Sequence, residues 1–188
     1  MSIIANFGEN KKGMFPTHPH SVYKYCPKCG SNQFYPQKDN SLKCEDCNFR
    51  FYYNAASSVA AIIMDEEGRL LLTRRALDPF KGTLDLPGGF VGEDESSEDA
   101  LRREVQEELG ADVMEYRYIR SYPNRYLYDG VTVFTNDAAF VCTLKSYSNL
   151  KAADDVSSFV WLYPEEVKLE EIGISSIRRI VKEYLESR

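Results

Sequence analysis

Residues 89–111 read GFVGEDESSEDALRREVQEELGA. The apolar positions Ala100, Leu101, Val105 and Leu109 recur at helical intervals, Ser96 and Ser97 can cap the start, and Gly110 stands where a helix would stop. The segment is therefore predicted to be a helix entered from a glycine-bearing loop. At about 100° per residue, Glu104, Glu107 and Glu108 share one arc, while Leu101, Val105 and Leu109 form the adjoining stripe that faces a core. Carboxylates held this close repel and raise one another's pKa unless a cation neutralises them. Hard oxygen ligands select Mg²⁺ or Mn²⁺.

The charge inventory agrees. Between Gly92 and Gly110 stand eight carboxylates (Glu93, Asp94, Glu95, Glu98, Asp99, Glu104, Glu107 and Glu108) against Arg102 and Arg103, a local charge of −6 that equals the formal net charge of the whole chain. The acidity is concentrated here rather than spread as a solubilising excess. A solvated acidic face would account for the charge but not for the glycines and the arginine at their positions. Leu86-Pro87-Gly88-Gly89 lets the backbone approach a cation and phosphates closely, as only residues without Cβ permit. Arg103 lies beside Glu104 and Glu107 and can reach Glu95 on the loop, a charge-assisted tie between loop and helix.

Taken in register as Gly89-x5-Glu95-x7-Arg103-Glu104-Val105-x-Glu107-Glu108-x-Gly110-Ala111, the stretch resembles the Nudix box, with alanine at its closing aliphatic position. The resemblance implies an α/β protein, a Nudix α/β/α sandwich with a mixed sheet, over residues 55–188. It implies catalytic roles for Glu104, Glu107, Glu108, Arg103 and Glu95. It also implies that Mg²⁺ or Mn²⁺ is held by Glu104, Glu107, Glu108 and the backbone at Gly89.

Upstream, Cys26-Pro-Lys-Cys29 and Cys44-Glu-Asp-Cys47 form two C-x2-C pairs separated by fourteen residues, the pattern of a Zn²⁺ site built from four thiolates. Residues 22–54 resemble a zinc ribbon, a small β module whose segment between the pairs can form a hairpin. Tyr25, Phe34, Phe49 and Phe51 offer it some apolar support, but a module this small cannot bury a self-sufficient core, so metal would supply the missing stability. Two disulfides are the competing reading; the odd fifth cysteine and the absence of a secretory pattern count against them. Cys142, within the apolar run 138–144, reads as a buried strand residue without a function.

With 188 residues, 43% of them hydrophobic and 28% charged, the chain can support one full core and a small appendage. Residues 1–21 carry Gly, Asn, Lys and Pro without periodicity and are predicted to be a loosely docked N-terminal arm, with His18 and His20 exposed rather than serving as ligands. After the cysteine module, Ser58–Met64 reads as a buried strand, 65–68 as a turn and Arg69–Arg75 as a second strand. Beyond the central helix, Val113–Ile119, Val131–Leu144 and Phe159–Leu162 read as strands, and Ser175 can cap a last helix. No apolar run approaches the roughly 20 residues that cross a bilayer. A cytoplasmic protein without membrane partners is expected.

A zinc ribbon directly before a Nudix domain is similar to the arrangement in the NADH pyrophosphatase group, which implies a small nucleotide substrate such as NADH or ADP-ribose. That group carries SQPWPFPxS after the box; here the segment is Ser121-Tyr-Pro-Asn-Arg-Tyr-Leu-Tyr-Asp129, matching only at Ser121 and Pro123. Tyr122 and Tyr126 can stack on a base with Arg125 near a phosphate or ribose, although alternating tyrosines also suit an ordinary strand surface. Asp155 is a further ligand or base, or else shares a solvated turn with Asp154. A homodimer is implied by habit of the family. Removal of nucleotide caps from RNA 5′ ends, guided by the ribbon, is the second reading, although the acidic balance speaks against broad nucleic-acid contact. An inactive Nudix fold acting as a nucleotide-binding regulator is the third.

Overall fold

In the computed structural model, which describes residues 15–188, the run Ala56–Ile63 is a strand that places buried residues on both faces. It is the fourth strand. Ahead of it lie a one-turn helix, α1 (Pro19–Val22), and three short strands, β1 (Phe34–Pro36), β2 (Ser41–Cys44) and β3 (Arg50–Tyr52). After β4 follow β5 (Leu70–Arg75), β6 (Leu84–Asp85), α2 (Ser97–Leu109), β7 (Val113–Tyr128), β8 (Val131–Leu144), β9 (Val156–Leu162) and α3 (Ser175–Glu186). The described residues up to Asn54, with Asp129–Thr132, form one compact unit, and the remainder from Ala55 forms a second. No helix among the described residues is long and apolar enough to cross a membrane.

The second unit is layered around β4. Val59, Ala61 and Ile63 point into a cluster with Leu101, Val105 and Leu109 of α2, while Ala60 and Ile62 point into a cluster with Ile177, Ile180 and Val181 of α3. Strict alternation of two buried sets is what a strand covered by helices on both faces requires. β4 pairs in parallel with β8, and β8 pairs with β7, while β5 stands between β6 and β9 in an antiparallel sheet. The order is helix, mixed strands, helix, as expected for the α/β/α sandwich. Each fully buried Leu of the α2 stripe contributes about 1.5–3 kcal/mol through removal from water.

Several elements differ from the sequence expectation. β7 runs to Tyr128 and absorbs the whole Ser121–Tyr128 segment, with Tyr122 and Asn124 buried and Pro123, Arg125 and Leu127 exposed. Pro123 is tolerated because β7 is the last strand of its sheet. Ser175 does not cap α3. The N-cap is Ile174, and Ser175, the first helical residue, donates instead to Asn124 Oδ1 at 2.8 Å. Of the predicted arm, residues 1–14 lie outside the described residues, and His18 and His20 are half-buried rather than exposed. The His18 side chain accepts from the His20 N–H at 3.1 Å and so starts α1. Cys142 is a core residue, 2% exposed, whose thiol burial pushes up to about 12.

Candidate active site and metal centre

α2 is fixed at both ends. Ser96 Oγ accepts from the Asp99 N–H at 3.1 Å, and Gly110 closes the helix in the left-handed conformation at φ 64°. The loop before it is tied along β4, with Val59 N–H donating to the Gly89 carbonyl at 2.9 Å and Ala61 N–H to that of Pro87 at 2.7 Å. Neither Gly88 nor Gly89 leaves room for a side chain. At Gly88, φ is 146° and a Cβ would collide with the Val59 carbonyl; at Gly89 it would collide with the Glu104 carboxylate.

Arg103 is the hub. Its Nε and Nη2 grip Glu95 at 2.8 and 2.9 Å, its Nη1 donates to Glu104 at 2.8 Å and Glu107 at 2.9 Å, and Nη2 also reaches the Phe90 carbonyl at 3.0 Å. This pairing, helped by the Gly92 N–H, holds Glu95 down at about 2. Glu95 is therefore a fixed counter-ion.

The acids beyond Arg103 behave differently. Glu108 is 3% exposed and accepts from the Gly88 N–H at 3.0 Å, yet burial pushes it up to about 9, with Asp155 and Glu104 adding like charge. Burial also raises Glu104, against the opposing pull of Arg103. Glu107 is turned to Arg103 with its side chain half in solvent. The three predicted glutamates thus divide: Glu104 and Glu107 share Arg103, and Glu108 stands with Asp155. Asp154, at φ 55°, takes the exposed turn position, so the two aspartates do not share a solvated fate. Two buried glutamates, both raised by burial and gathered with Asp155 beside glycine backbone, are the donor chemistry that suits Mg²⁺ or Mn²⁺.

Asp155 and the diglycine backbone, Gly88 and Gly89, line a cavity of about 130 Å³. Tyr126 lines it, as the sequence suggested. Tyr122 does not: it is 3% exposed, its hydroxyl donates to Glu183 of α3 at 2.9 Å, and it belongs to the core. Arg125 follows the outward phase of the strand and is exposed.

Three cavity residues escaped the sequence reading. Asn124 accepts from Ser175 through its oxygen, which leaves its amide NH₂ for the cavity. Thr135 Oγ1 is buried without a hydrogen-bond partner. Asp137 accepts from both Ser58 and Ser176. A carboxylate inside the apolar strand β8 was a usable signal, since acids are rarely buried unpaired. A larger hollow of about 330 Å³ lies against β5 and β9, but none of the carboxylates around Arg103 lines it.

Asp85 lies at the same cavity, paired with Arg75 at 2.8 Å, and burial pushes it up to about 6 from an ordinary 3.8 despite that arginine. Between those values the folded protein keeps a proton that the unfolded chain has released. The contribution of Asp85 to stability should therefore be full below about pH 4, fall by up to about 1.4 kcal/mol per pH unit through the window, and be lost above about pH 6. Asp85→Asn should remove this part of the slope. Urea midpoints of both proteins at pH 4.5 and 6.5 are the check, and parallel profiles would refute it.

The four cysteines meet as the spacing predicted. Their Sγ atoms all lie within 4.8 Å of one another, with Cys26–Cys47 and Cys29–Cys44 each at 3.7 Å, and none is in a disulfide. A tetrahedron with Zn–S bonds of about 2.3 Å has S···S edges of about 3.8 Å, so the set fits a four-thiolate ion. The Cys47 N–H holds Cys44 down at about 7 against the effect of burial, while at Cys29 the pull of the Ser31 backbone is overcome by the crowding of Cys47, Cys44 and Cys26, which pushes that thiol up to about 12.

The family model described as NUDIX domain matches residues 55–184. The chain belongs to this family. A protein named NAD-capped RNA hydrolase NudC from Haemophilus influenzae (strain PittGG) is 30% identical over 113 residues, 60% of this chain and 43% of that one. An ADP-ribose pyrophosphatase from Methanocaldococcus jannaschii is 44% identical over 62 residues, 33% of this chain and 36% of that one. The chain thus spans less than half the length of these curated relatives. Among solved structures, a NUDIX hydrolase from Nitrosomonas europaea superposes with a TM-score of 0.67 at 23% identity, covering 88% of this chain and 92% of that one. The NUDIX domain of Shewanella oneidensis NrtR, complexed with ADP ribose, superposes at 0.58 and 19% identity, covering 72% and 90%. At these identities the superpositions speak for the Nudix fold alone, and residues 89–111 lie within the span that the family model matches.

Proposed function

We propose that this Nudix protein hydrolyses the diphosphate linkage of a nucleoside diphosphate derivative, of the NADH or ADP-ribose kind, to a nucleoside monophosphate and a second phosphate product. The observation that carries the reading is the cluster of buried Glu104 and Glu108 with half-buried Asp155, which lines a cavity together with Gly88, Gly89, Tyr126 and Asn124. Glu104, Glu108 and the Gly89 backbone would hold Mg²⁺ or Mn²⁺, with Glu107 close by. Such a cation, when bound, neutralises diphosphate charge and lowers the pKa of the attacking water. Arg103 positions the glutamates by locking loop to helix, and Gly88 keeps Glu108 aimed through its N–H. Glu104 or Asp155 takes the proton from water, Asp155 lying outside the Arg103 pairing that holds Glu104. Tyr126 offers a ring for a base and Asn124 two amide protons for a polar edge. The cysteine module holds one structural Zn²⁺, and its free thiols suit a reducing, cytoplasmic setting.

A second reading is favoured by one observation, the relatives named as NAD-capped RNA hydrolases: the same bond is cut at the 5′ end of an RNA. Both readings are tested by supplying NADH, NAD, ADP-ribose, diadenosine polyphosphates, FAD and an NAD-capped oligoribonucleotide with Mg²⁺ or Mn²⁺. Release of nucleoside monophosphate from a free dinucleotide with little dependence on salt supports the first. A preference for the oligonucleotide that collapses steeply with salt supports the second. No cleavage of any of them would defeat both.

A further inference from the structure

The cavity of about 130 Å³ is far smaller than the roughly 300–1,000 Å³ that encloses a whole drug-sized ligand, so it takes one ring of a substrate rather than a nucleoside. Its walls carry Asp85, Asp137 and Asp155 against a single base, Arg75, which is already paired with Asp85 at 2.8 Å. A phosphate would meet like charge there, whereas a neutral group able to donate to carboxylates would not. Two wall residues keep hydrogen-bonding capacity to spare. Asn124 is 8% exposed, its oxygen accepts from Ser175, and its NH₂ has no partner among the described residues. Thr135 is 4% exposed and its Oγ1 is unpaired. Buried donors and acceptors left open destabilise a fold, and a ligand that completes them is the physical reason to keep them.

In a nucleoside diphosphate derivative the neutral group bonded to the phosphates is a ribose, one ring bearing vicinal hydroxyls. Each hydroxyl both donates and accepts. It can take a proton from the Asn124 amide while giving its own to a wall carboxylate, and the Thr135 hydroxyl serves in either sense. Ile174 and Ile177 offer an apolar wall to the C–H face of such a ring. The polar groups are already held, Asn124 by Ser175 and Asp137 by Ser58 and Ser176, so little ordering is left for the ligand to impose. We propose that this cavity is a ribose subsite, in which Asn124 and Thr135 read the hydroxyls of a sugar bonded to the diphosphate and so set a preference for ribose over deoxyribose. The subsite rests on the hydrolase reading for the place of the diphosphate, and it makes the sugar, not the base, the group that is selected. A missing hydroxyl would leave buried groups open, which rejects an analogue far more sharply than an apolar pocket rejects a lost methylene.

Whichever of NADH and ADP-ribose is cleaved is compared with its analogues lacking one ribose hydroxyl, in one arm on the adenosine ribose and in the other on the second ribose. In one arm the full chain should lose at least about 100-fold in kcat/KM with the deoxy analogue, and that arm identifies the sugar that enters. Asn124→Leu and Thr135→Val should each lower kcat/KM for the ribose substrate while nearly sparing the deoxy analogue, so that the ratio falls below about tenfold. A merely structural role would lower both substrates alike and leave the ratio standing. Thr135→Val should also keep or raise the thermal midpoint, because it removes an open buried hydroxyl without changing the shape, and it decides the matter if Asn124→Leu fails to fold. Deoxy analogues cleaved within about threefold of the ribose substrate in both arms overturn the subsite, as does a ratio that survives either substitution in a folded protein. If nothing is cleaved, the hydrolase reading falls, and the same pairs are ranked by calorimetry in Mg²⁺. A ribose preference in binding that Thr135→Val abolishes then keeps the subsite, and equal or absent binding overturns it.

Discussion

Glu108→Gln should lower metal-dependent hydrolysis by at least about 10³-fold, because losing several kcal/mol of charge stabilisation at the cation costs a decade for each 1.4 kcal/mol. The same change should leave the metal-free fold as stable or make it more so. Glu108 is buried beside Asp155 and Glu104 and sits up at about 9, so at neutral pH it carries a proton in the absence of a cation. Glutamine matches that neutral form in shape and still accepts from the Gly88 N–H. The pair of measurements is steady-state turnover with Mg²⁺ or Mn²⁺ and the thermal midpoint in a chelator. A dead enzyme with an undiminished midpoint marks a residue kept for chemistry at the expense of stability. A dead enzyme that also melts early would instead make Glu108 a structural residue, and an active variant would remove it from the site.

Removal of the Zn²⁺ proposed for the four cysteines should have the largest effect on folding, confined to the first unit. Among the described residues, the hydrophobic cluster of that unit is Cys26, Phe34, Leu42 and Cys44, and two of those four belong to the cysteine set. So small a cluster cannot offset the conformational entropy of about thirty ordered residues. Structural zinc contributes about 10–16 kcal/mol of apparent binding free energy in comparable peptides, enough to decide whether they fold. Cys44→Ser, or a strong chelator, should take the metal content from one zinc per chain to none and expose residues 22–54 to protease. The second unit, with its own two clusters, should keep its cooperative transition. An unchanged cleavage pattern after complete loss of metal would refute a structural role for the ion.

What could be read from sequence was what lies close along the chain. The helix that carries Glu104, Glu107 and Glu108 announces itself by a serine cap, a glycine stop and a single apolar stripe, all within a span of a few turns. The cysteine knuckles do the same within four residues each. What could not be read depends on strands brought together from afar. Asn124 and Thr135 lie on neighbouring strands, but they meet the cavity only because β4 pairs with β8 and carries the diglycine loop there, and no periodicity in β7 or β8 announces that neighbour. Tyr122 looked like a substrate contact because tyrosines alternate there, yet its face of the strand lies under α3. Asp155 was hidden by its own neighbour. Asp154 does satisfy the pattern of a solvated turn, and only the fold turns the next side chain toward Glu108.

One strand governs how much change this architecture can absorb. Odd-numbered side chains from Val59 to Ile63 serve the layer under α2, even-numbered ones serve the layer under α3, and the amides of Val59 and Ala61 anchor the diglycine loop. Sliding that ribbon by a single step would exchange the two layers and unhook the loop in the same stroke. Between residues 56 and 63 the frame itself is indivisible.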